Sequence, residues 1–346
     1  MKEGWEYRIF ESCLVKVPKQ VQVKSKDYKK EGNFPIVSQE AELISGYWDD
    51  ETIVYKHKEP VVIFGDHTKN IKYVDFDFIV GADGTHILST KKDISPKFFY
   101  YVLKSIKLRE LGYARHYRLL KEKYIPVPPL SEQQSIVDYL DSAFAKIDAM
   151  KANAEKALNE AKALFQASLK KMLEPKEGWE EKTIGDILNL RRGHDLTHSQ
   201  MNGCGYPVAG SNGRIGYHNS CTPISPCITV GRSGSVGAVN IYKECWAHNT
   251  TLYIDDFKGN YPKYLYYLLK SIDLAHLNSG SAVPTLNRNF IHPIIVPYVK
   301  DIVAQQSIVA TLDNIKSKVD KLQENYDKIS LECDALKQAI LRQVFE

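Results

Sequence analysis

The chain has 346 residues, of which 43% are hydrophobic and 25% are charged, and its net charge is +4. These values are typical of soluble globular domains and exclude a disordered or fibrous chain, and the length allows more than one domain. No apolar run approaches the ~20 residues that cross a bilayer, no apolar signal region follows Met1, and the six cysteines lack disulfide-framework spacing, so we expect a cytoplasmic protein.

The net charge is too small to indicate nucleic-acid binding, but its distribution is uneven. Residues 1–130 carry +4 and residues 176–300 carry +3, whereas the rest of the chain carries −3. The densest basic stretch, residues 104–123, interleaves lysine and arginine with tyrosine. Such a stretch can neutralise phosphates, although a solvated helix face has the same composition.

The first segment, residues 1–130, is predicted to be strand-rich. Short β-branched and aromatic runs, such as PVVIF at 60–64 and FDFIV at 76–80, lie between clusters of glycine, asparagine and aspartate. A proline-rich boundary, YIPVPPL at 124–130, closes the segment.

A long helix is predicted over residues 131–175. Ser131 and Gln134 form a capping-box pattern at its start, and Pro175 requires it to end before that residue. Residues spaced alternately by three and four are apolar at nine of eleven positions, which is typical of a coiled coil. The positions are Val137, Leu140, Phe144, Ile147, Lys151, Ala154, Leu158, Ala161, Phe165, Ser168 and Met172.

The second segment, residues 176–300, repeats this plan. Strand-like runs occur as CITV at 227–230 and TTLYI at 250–254, and IIVPYV at 294–299 forms the boundary. A second helix is predicted over residues 301–346, and all of its heptad positions are apolar. They are Ile308, Leu312, Ile315, Val319, Leu322, Tyr326, Ile329, Cys333, Leu336 and Ile340.

Four peptides recur in the same order in the two halves. The pairs are KEGWE at 2–6 and 176–180, FPIV at 34–37 and YPVA at 206–209, PKFFYYVLKSI at 96–106 and PKYLYYLLKSI at 262–272, and QQSIVDYLD at 133–141 and QQSIVATLD at 305–313. The small drift in their offsets indicates two copies that differ by loop insertions. We therefore predict an α+β protein with two tandem mixed α/β domains, separated by two long helices that form an antiparallel coiled coil with pseudo-two-fold symmetry. The alternative is that each helix pairs with another chain.

Motifs for catalysis are missing from the sequence. It has no Walker phosphate loop and no dinucleotide fingerprint, and GRSGSVG at 231–237 is better explained as a hairpin or loop. The Pro128–Pro129 pair lies in a boundary, not in a methyltransferase loop. The run FGDHTK at 64–69 would place adjacent residues on opposite strand faces, which disfavours a nuclease site. Four cysteines within residues 204–245 lack a C-x₂-C pair, which disfavours zinc.

The combined order of these elements resembles the specificity subunit of Type I restriction–modification systems. The resemblance is carried by GWE at both segment starts, by the YYVLKSI and YYLLKSI helices, and by PVPPLSEQQSIVDYLD with its second copy, and it covers essentially the whole chain. The second boundary, VPYVKDIVAQQ, departs from the PL-x-E-Q-Q pattern, which leaves the start of the second helix open. The resemblance implies two target-recognition domains, each reading one half of a bipartite asymmetric DNA site.

The resemblance also implies a set of partners. Two modification subunits would dock on the helices and hold S-adenosylmethionine, two restriction subunits could join, and this chain would be non-catalytic and need no cofactor. The helices, each ~60 Å long, would set the spacer between the half-sites. The alternatives are the recognition part of a fused restriction–methyltransferase, and a coiled-coil adaptor with no role on DNA.

Candidate DNA contacts follow from residue type, because arginine pairs bidentately with guanine and asparagine with adenine. Each of these residues could instead have a turn or cap role. In the first segment we select residues after the strand-like run and after the YYVLKSI helix, namely His67, Lys69, Arg115, His116 and Arg118. In the second segment we select residues of four polar loops, namely Ser211, Asn212, Arg214, Arg232, Ser233, Asn249, Thr250, Asn287 and Arg288. The stretch 278–288 after YYLLKSI is the counterpart of the basic stretch after YYVLKSI.

Overall fold

A computed structural model describes residues 4–110, 112, 114–277 and 285–346. The chain folds into two compact units, the first formed by Met1–Ala154 with Asp327–Glu346 and the second by Glu155–Tyr326. Each unit therefore contains one copy of the repeat together with part of each long helix. Within the described residues, no helix is both long enough and apolar enough to span a membrane.

The described residues of 4–154 form ten short strands and three α-helices, the last of which continues into the second unit. The strands are β1 (Glu6–Ile9), β2 (Leu14–Val15), β3 (Gln22–Val23), β4 (Phe34–Val37), β5 (Gly46–Trp48), β6 (Val61–Gly65), β7 (Ile71–Val74), β8 (Ile79–Gly81), β9 (Thr85–Thr90) and β10 (Tyr124–Val127). The helices are α1 (Pro96–Ser105), α2 (Tyr117–Lys121) and α3 (Leu130–Met172).

The main sheet of the first unit has the strand order β2-β9-β6-β7. Strand β6 is buried along its whole length, because one of its faces meets α1 and the other meets β8 and its neighbours. A second sheet has the order β3-β8-β4-β5, and β1 pairs with β10. Phe64, Phe98 and Phe99 are fully buried between the main sheet and α1.

The second unit has the same plan. Its strands are β11 (Glu180–Thr183), β12 (Asn189–Arg192), β13 (Tyr206–Gly210), β14 (Gly213–His218), β15 (Cys227–Gly231), β16 (Val239–Tyr242), β17 (Trp246–Ala247), β18 (Thr251–Asp256) and β19 (Ile295–Tyr298). Its helices are α4 (Ile184–Ile187), α5 (Pro262–Ser271), α6 (Arg288–Ile291) and α7 (Ile302–Phe345), which continues into the first unit. The predicted α+β fold with tandem domains is confirmed.

The two main sheets correspond strand by strand. The order β12-β18-β15-β16 in the second unit repeats β2-β9-β6-β7 in the first, and the pair β11-β19 repeats β1-β10. The repeated peptides PKFFYYVLKS and PKYLYYLLKS form α1 and α5. The sequence repeat is therefore a repeat of topology.

A buried glutamine joins each globular part to its long helix. Gln133 is fully buried; its amide donates to the backbone oxygens of Asp93 and Pro128 and accepts from the Ser95 N–H at 2.8 Å. Gln305 is its counterpart, fully buried and bonded to Asn260, Val299 and Tyr261.

The tyrosine-rich helices contact the long helices through one aspartate in each unit. The hydroxyl of Tyr101 donates to Asp141, which also pairs with Lys97 at 2.7 Å. In the second unit Tyr267 donates to Asp313 at 2.6 Å, and Lys263 lies 2.6 Å from the same carboxylate. The QQSIV peptides and the YY helices recur together because they are two sides of one interface.

The long helices are antiparallel. In the first unit Asp148 pairs with Lys337 at 2.5 Å and Lys151 with Asp334 at 3.7 Å, so the partner number falls as the residue number rises. In the second unit the later part of α3 packs against the early part of α7, where Lys162 donates to Gln323 at 2.8 Å. The predicted pairing of the two helices with each other is confirmed.

The predicted heptad positions are right for α3 and partly wrong for α7. All eleven positions of α3 are buried or half-buried, but Leu322 and Leu336 of α7 are 36% and 47% exposed. Their neighbours Gln323 and Lys337 face the partner helix instead. Long polar side chains can fill a seam when their tips find partners, and here the tips reach Lys162 and Asp148.

The start of α3 also differs from the prediction. The helix begins at Leu130, and the Gln134 side chain bonds to Asp138 instead of closing a capping box at Ser131. The Pro129 carbonyl accepts from the N–H groups of Glu132 and Gln133. The start of α3 is therefore fixed by the long-range hydrogen bonds of Gln133, and not by the capping box predicted at Ser131. At the second boundary, the Asp301 carboxylate accepts from the N–H groups of Val303 and Ala304.

Candidate nucleic-acid interface

Loops distant in sequence converge where β12 and β15 end and β18 begins. The N–H of Arg232 donates to the Thr250 carbonyl, and the N–H of Leu286 donates to the Arg232 carbonyl, each at 2.8 Å. Ser233 forms an isolated bridge with Thr285. Candidates from the GRSG, HNTT and TLNRN loops are thus held side by side by main-chain bonds.

A basic cavity of about 450 Å³ lies at this place in the second unit. Its walls are Arg191, Arg192, Arg232, Leu252, Asn287 and Arg288. Three guanidinium groups are oriented by neighbours: Arg191 by Asp255 at 3.2 Å, Arg192 by Asp195 at 2.9 Å, and Arg288 by the Leu190 carbonyl at 3.3 Å. The cavity gathers four positive charges.

Asp195 links two candidate side chains beside this cavity. It accepts from the Asn249 amide and pairs with Arg192, and these two contacts hold the pKa of its carboxyl below the usual value, the hydrogen bond contributing more. The Thr250 hydroxyl lies 2.9 Å from Nδ1 of His248. Side-chain contacts therefore hold Asn249 and Thr250 in place, and both residues are half-buried.

The GRSGSVG segment connects β15 and β16, as the hairpin interpretation predicted. A Cβ on Gly231 would lie 2.0 Å from the Ser235 carbonyl oxygen, so glycine is required for this tight loop. The carbonyl oxygen of Ser211 is the next neighbour of that position, at 3.0 Å. The exposed Asn212 and Arg214 continue from Ser211 along the β13–β14 hairpin, where Arg214 donates to the Tyr217 hydroxyl at 2.5 Å.

The counterpart in the first unit is organised by a buried carboxylate. Asp66 directly follows β6, as Arg232 follows β15, and is 3% exposed. Its Oδ1 accepts from the N–H of Tyr117 at 2.7 Å, and its Oδ2 lies 3.3 Å from Nε2 of His86. The His86 and Tyr117 rings stack, with centroids 4.0 Å apart.

His116 does not lie on the surface where a DNA-facing group must be. Its side chain is 1% exposed, and both its N–H and its Nδ1 lie within 3.0 Å of the Asp66 carbonyl. The long-range bond to Asp66 draws the histidine inward, so it positions the start of α2. Its neighbours Arg115 and Arg118 remain exposed, and Arg115 lies 3.9 Å from Asp66.

The other two candidates of the first unit lie in the β6–β7 turn. His67 and Lys69 are half-buried, and Lys69 adopts a positive φ of 60°. Its ammonium group pairs with Glu110, and that bond lowers the pKa of the Glu110 carboxyl. Within the counterpart stretch 278–288, residues 278–284 lie outside the described residues.

Residues that the sequence analysis did not select also line these surfaces. Arg191 and Arg192 end β12, and a second cavity of about 460 Å³ in the first unit includes Lys16, Gln22 and His86. In the sequence, only the arginine doublet at the end of the run NLRR could have pointed to Arg191 and Arg192 as candidates. No local sequence pattern marks Lys16, Gln22 or His86 as lining a cavity.

No group of metal-ligating side chains is present among the described residues. All six cysteines are free: Cys227 and Cys245 are buried together, while Cys204 is exposed and Cys221 half-buried. The cysteines of the second unit thus behave mainly as small packing residues.

A family model described as the Type I restriction modification DNA specificity domain matches residues 3–160 and 176–331. The specificity subunit of the Escherichia coli Type I restriction enzyme EcoR124I/EcoR124II is 31% identical over 185 residues, covering 49% of this chain and 45% of that protein. The chain thus matches less than half the length of that relative.

Solved structures share the fold. A chain from a study of complex assembly and conformational transition of the type I R-M system aligns with a TM-score of 0.73 and 18% identity, covering 100% of this chain and 98% of that one. The S subunit of a Type-I restriction-modification system from M. genitalium aligns with a TM-score of 0.51 and 19% identity, covering 97% and 96%. With both copies of the repeat matched by the family model, the chain belongs to the Type I restriction modification DNA specificity domain family.

Proposed function

We propose that this chain is the non-catalytic DNA-recognition subunit of a Type I restriction–modification complex. Residues 1–130 and 176–300 are its target-recognition domains, and each reads one half of a bipartite site. The observation that carries the proposal is the duplicated fold, in which loops at one structural position carry arginine, lysine, asparagine and glutamine. These are the side chains that pair with phosphates and base edges.

The two half-sites are expected to differ. The scaffold strands match between the units, but the loops at the strand ends do not: Asp66 in the first unit occupies the place of Arg232 in the second. Because donor and acceptor patterns decide which base is bound, different loops on one scaffold read different sequences.

The partners proposed for the helices are two modification subunits, which would hold S-adenosylmethionine, and two restriction subunits. Supporting this, each helix carries a row of apolar residues beside its seam, which we call the apolar flank. In the first unit it comprises Ile136, Ala143, Met150 and Leu336, and in the second Ala157, Leu164 and Leu322. Met150 and Leu164 are 60% and 62% exposed, more than a solvated coiled coil needs.

The alternatives are less well supported. A coiled-coil adaptor would not need two loop clusters rich in DNA-pairing side chains, and the family match favours a DNA reader over an adaptor or the recognition part of a fused enzyme. The free cysteines are compatible with a reducing compartment, so we place the protein in the cytoplasm.

The test is binding of the full chain to labelled duplex DNA over a range of salt. We expect the logarithm of the binding constant to fall linearly with the logarithm of salt concentration, since phosphate neutralisation releases counterions. Coexpression with the modification subunits, followed by methylation mapping, should reveal one split sequence. Salt-independent binding, or methyl transfer by the isolated chain with S-adenosylmethionine, would contradict the proposal.

A further inference from the structure

Each unit has a cavity at the same position of its main sheet. Both cavities are lined by the end of the first strand of the main sheet, the start of the neighbouring strand and the start of the short helix: β2, β9 and α2 in the first unit, and β12, β18 and α6 in the second. The first cavity also includes Gln22 and Val80 of the second sheet, and the second includes Arg232, which follows β15. We call this the strand-end cavity. Two cavities at equivalent places of a duplicated fold indicate one shared role.

Main-chain pairing brings the end of the central strand beside the start of the neighbouring strand close to both cavities. In the first unit Gly65 pairs with Thr85, and in the second Gly231 pairs with Thr251. The residue that opens the short helix lines the cavity in both units, as Tyr117 in the first and Arg288 in the second, whereas the residue after the central strand lines it only in the second, as Arg232. The strand ends and helix start that the two cavities share are thus constant, and the side chains that project from them differ.

The two linings differ in chemistry. The first cavity presents Lys16, Lys19, Gln20, Gln22 and His86, with the ring of Tyr117 stacked on His86. The second presents Arg191, Arg192, Arg232, Asn287 and Arg288. The first combines amides with lysines, whereas the second is dominated by guanidinium groups.

One arginine of the second cavity differs from the other three. Arg191, Arg192 and Arg288 each contact an acid or a carbonyl of the protein, as described above. For Arg232, by contrast, no side-chain hydrogen bond or ion pair is found among the described residues, while two main-chain bonds fix its backbone. A half-buried, uncommitted guanidinium on a fixed backbone is suited to bidentate pairing with a guanine edge.

We propose that the strand-end cavity is the place where each unit discriminates bases, and that in the second unit Arg232 selects guanine while Arg191 and Arg192 bind the flanking phosphates. This inference rests on the proposed function and assigns its sequence choice to specific residues. The first unit uses Gln22 and Lys16, which line its own strand-end cavity. The two cavities act independently, one for each half-site.

The test is selection of bound duplexes from a random-sequence library by the full chain and its variants. We expect Arg232→Ala to relax a guanine position in one half-site and to weaken binding to the selected sequence about tenfold or more, leaving the other half-site unchanged. Gln22→Ala should relax a position in the opposite half-site only. Arg191→Ala and Arg192→Ala should weaken binding to all sequences and reduce its salt dependence.

Matched controls lie at the opposite ends of the same sheets. Lys58 precedes β6 and Lys243 follows β16, both exposed and away from the strand-end cavities. Lys58→Ala and Lys243→Ala should leave the selected sequence unchanged, and thermal melting verifies that each variant is folded. If the wild-type chain selects a split sequence that no cavity variant alters, the cavity assignment is wrong while the proposed function stands. If the wild-type chain selects no sequence at all, both fail.

Discussion

At the scale of single residues, the same structural place holds opposite chemistry in the two units. Asp66 is buried and hydrogen-bonds within the protein, whereas the side chain of Arg232 has no hydrogen-bond or ion-pair partner among the residues that the structure describes. A buried carboxylate must be hydrogen-bonded, so Asp66 recruits Tyr117 and His86 from distant parts of the chain. The residue after the central strand therefore organises the loop in one unit and is available for a ligand in the other.

The buried glutamines give the first prediction. Gln133→Ala and Gln305→Ala should each lower the free energy of unfolding by ~1–3 kcal/mol, because each change leaves buried main-chain groups without partners. Urea unfolding measures the loss. The adjacent exposed residues provide controls, and Gln134→Ala and Gln306→Ala should change stability by less than about 0.5 kcal/mol. If Gln134→Ala and Gln306→Ala lowered the free energy of unfolding as much as Gln133→Ala and Gln305→Ala, burial of the amide would not be the cause of the loss.

The tyrosine–aspartate contacts give a prediction about alkaline pH. Burial, and then the hydrogen bond to a carboxylate, raise the pKa of Tyr101 and Tyr267 above the ordinary value of ~10. A group with a raised folded pKa contributes its full stability below the unfolded pKa, and the contribution is lost as pH rises beyond it. Burial raises the pKa of other tyrosines as well, so absorbance titration at alkaline pH should count two fewer late-titrating tyrosines in the Tyr101→Phe, Tyr267→Phe double variant than in the original chain. Unchanged late titration in that variant would assign it to other tyrosines.

At the scale of elements, each long helix carries more apolar surface than its own pairing uses. The seam of α7 contains Gln323 and Lys337, while the adjacent Leu322 and Leu336 face outward. A polar seam beside an exposed apolar row is the reverse of what stability alone favours. The arrangement is explained if a partner covers the apolar flank.

Substitutions in the apolar flank test this explanation. The Met150→Gln, Leu336→Gln double variant should weaken binding of a modification subunit to the full chain about tenfold or more, with little change in unfolding free energy because both side chains are exposed. Leu331 is 73% exposed but follows the seam residue Ser330 on the other edge of α7, so Leu331→Gln is the control. Titration calorimetry measures both. If Leu331→Gln weakened binding as much as the double variant does, the modification subunit would not bind specifically at the apolar flank.

At the scale of the whole molecule, α3 and α7 belong to both compact units, because each unit takes part of each helix. Every unit therefore contains an antiparallel pair, held in the first by Lys337 and Asp148 and in the second by Lys162 and Gln323. We propose that the length of this pair sets the spacer between the half-sites. The competing view is that the helices serve only to bind the modification subunits.

An insertion separates the two views. Four residues inserted after Ala154, with a matched insertion after Tyr326 in the antiparallel partner, would add ~6 Å of helix and nearly preserve the seam. At ~3.4 Å per base pair we expect a spacer longer by one or two base pairs with both half-sites unchanged. Methylation-site sequencing of the complex containing this variant reports the spacer. An active complex with an unaltered spacer would refute the role of the helices as a ruler.

The sequence by itself determined the duplication, the two long helices and the seam of α3. Repeated peptides and heptad spacing can be recognised along the chain without knowing which distant residues are in contact. Only the tertiary structure decided that His116 turns inward while Arg115 and Arg118 stay exposed, since the burying contact comes from Asp66, 50 residues away. The same holds for Arg191, which meets Arg232 and Arg288 in one cavity across long stretches of chain. Residue type and spacing identify what a side chain can bind, but its neighbours in space determine whether it is free to bind.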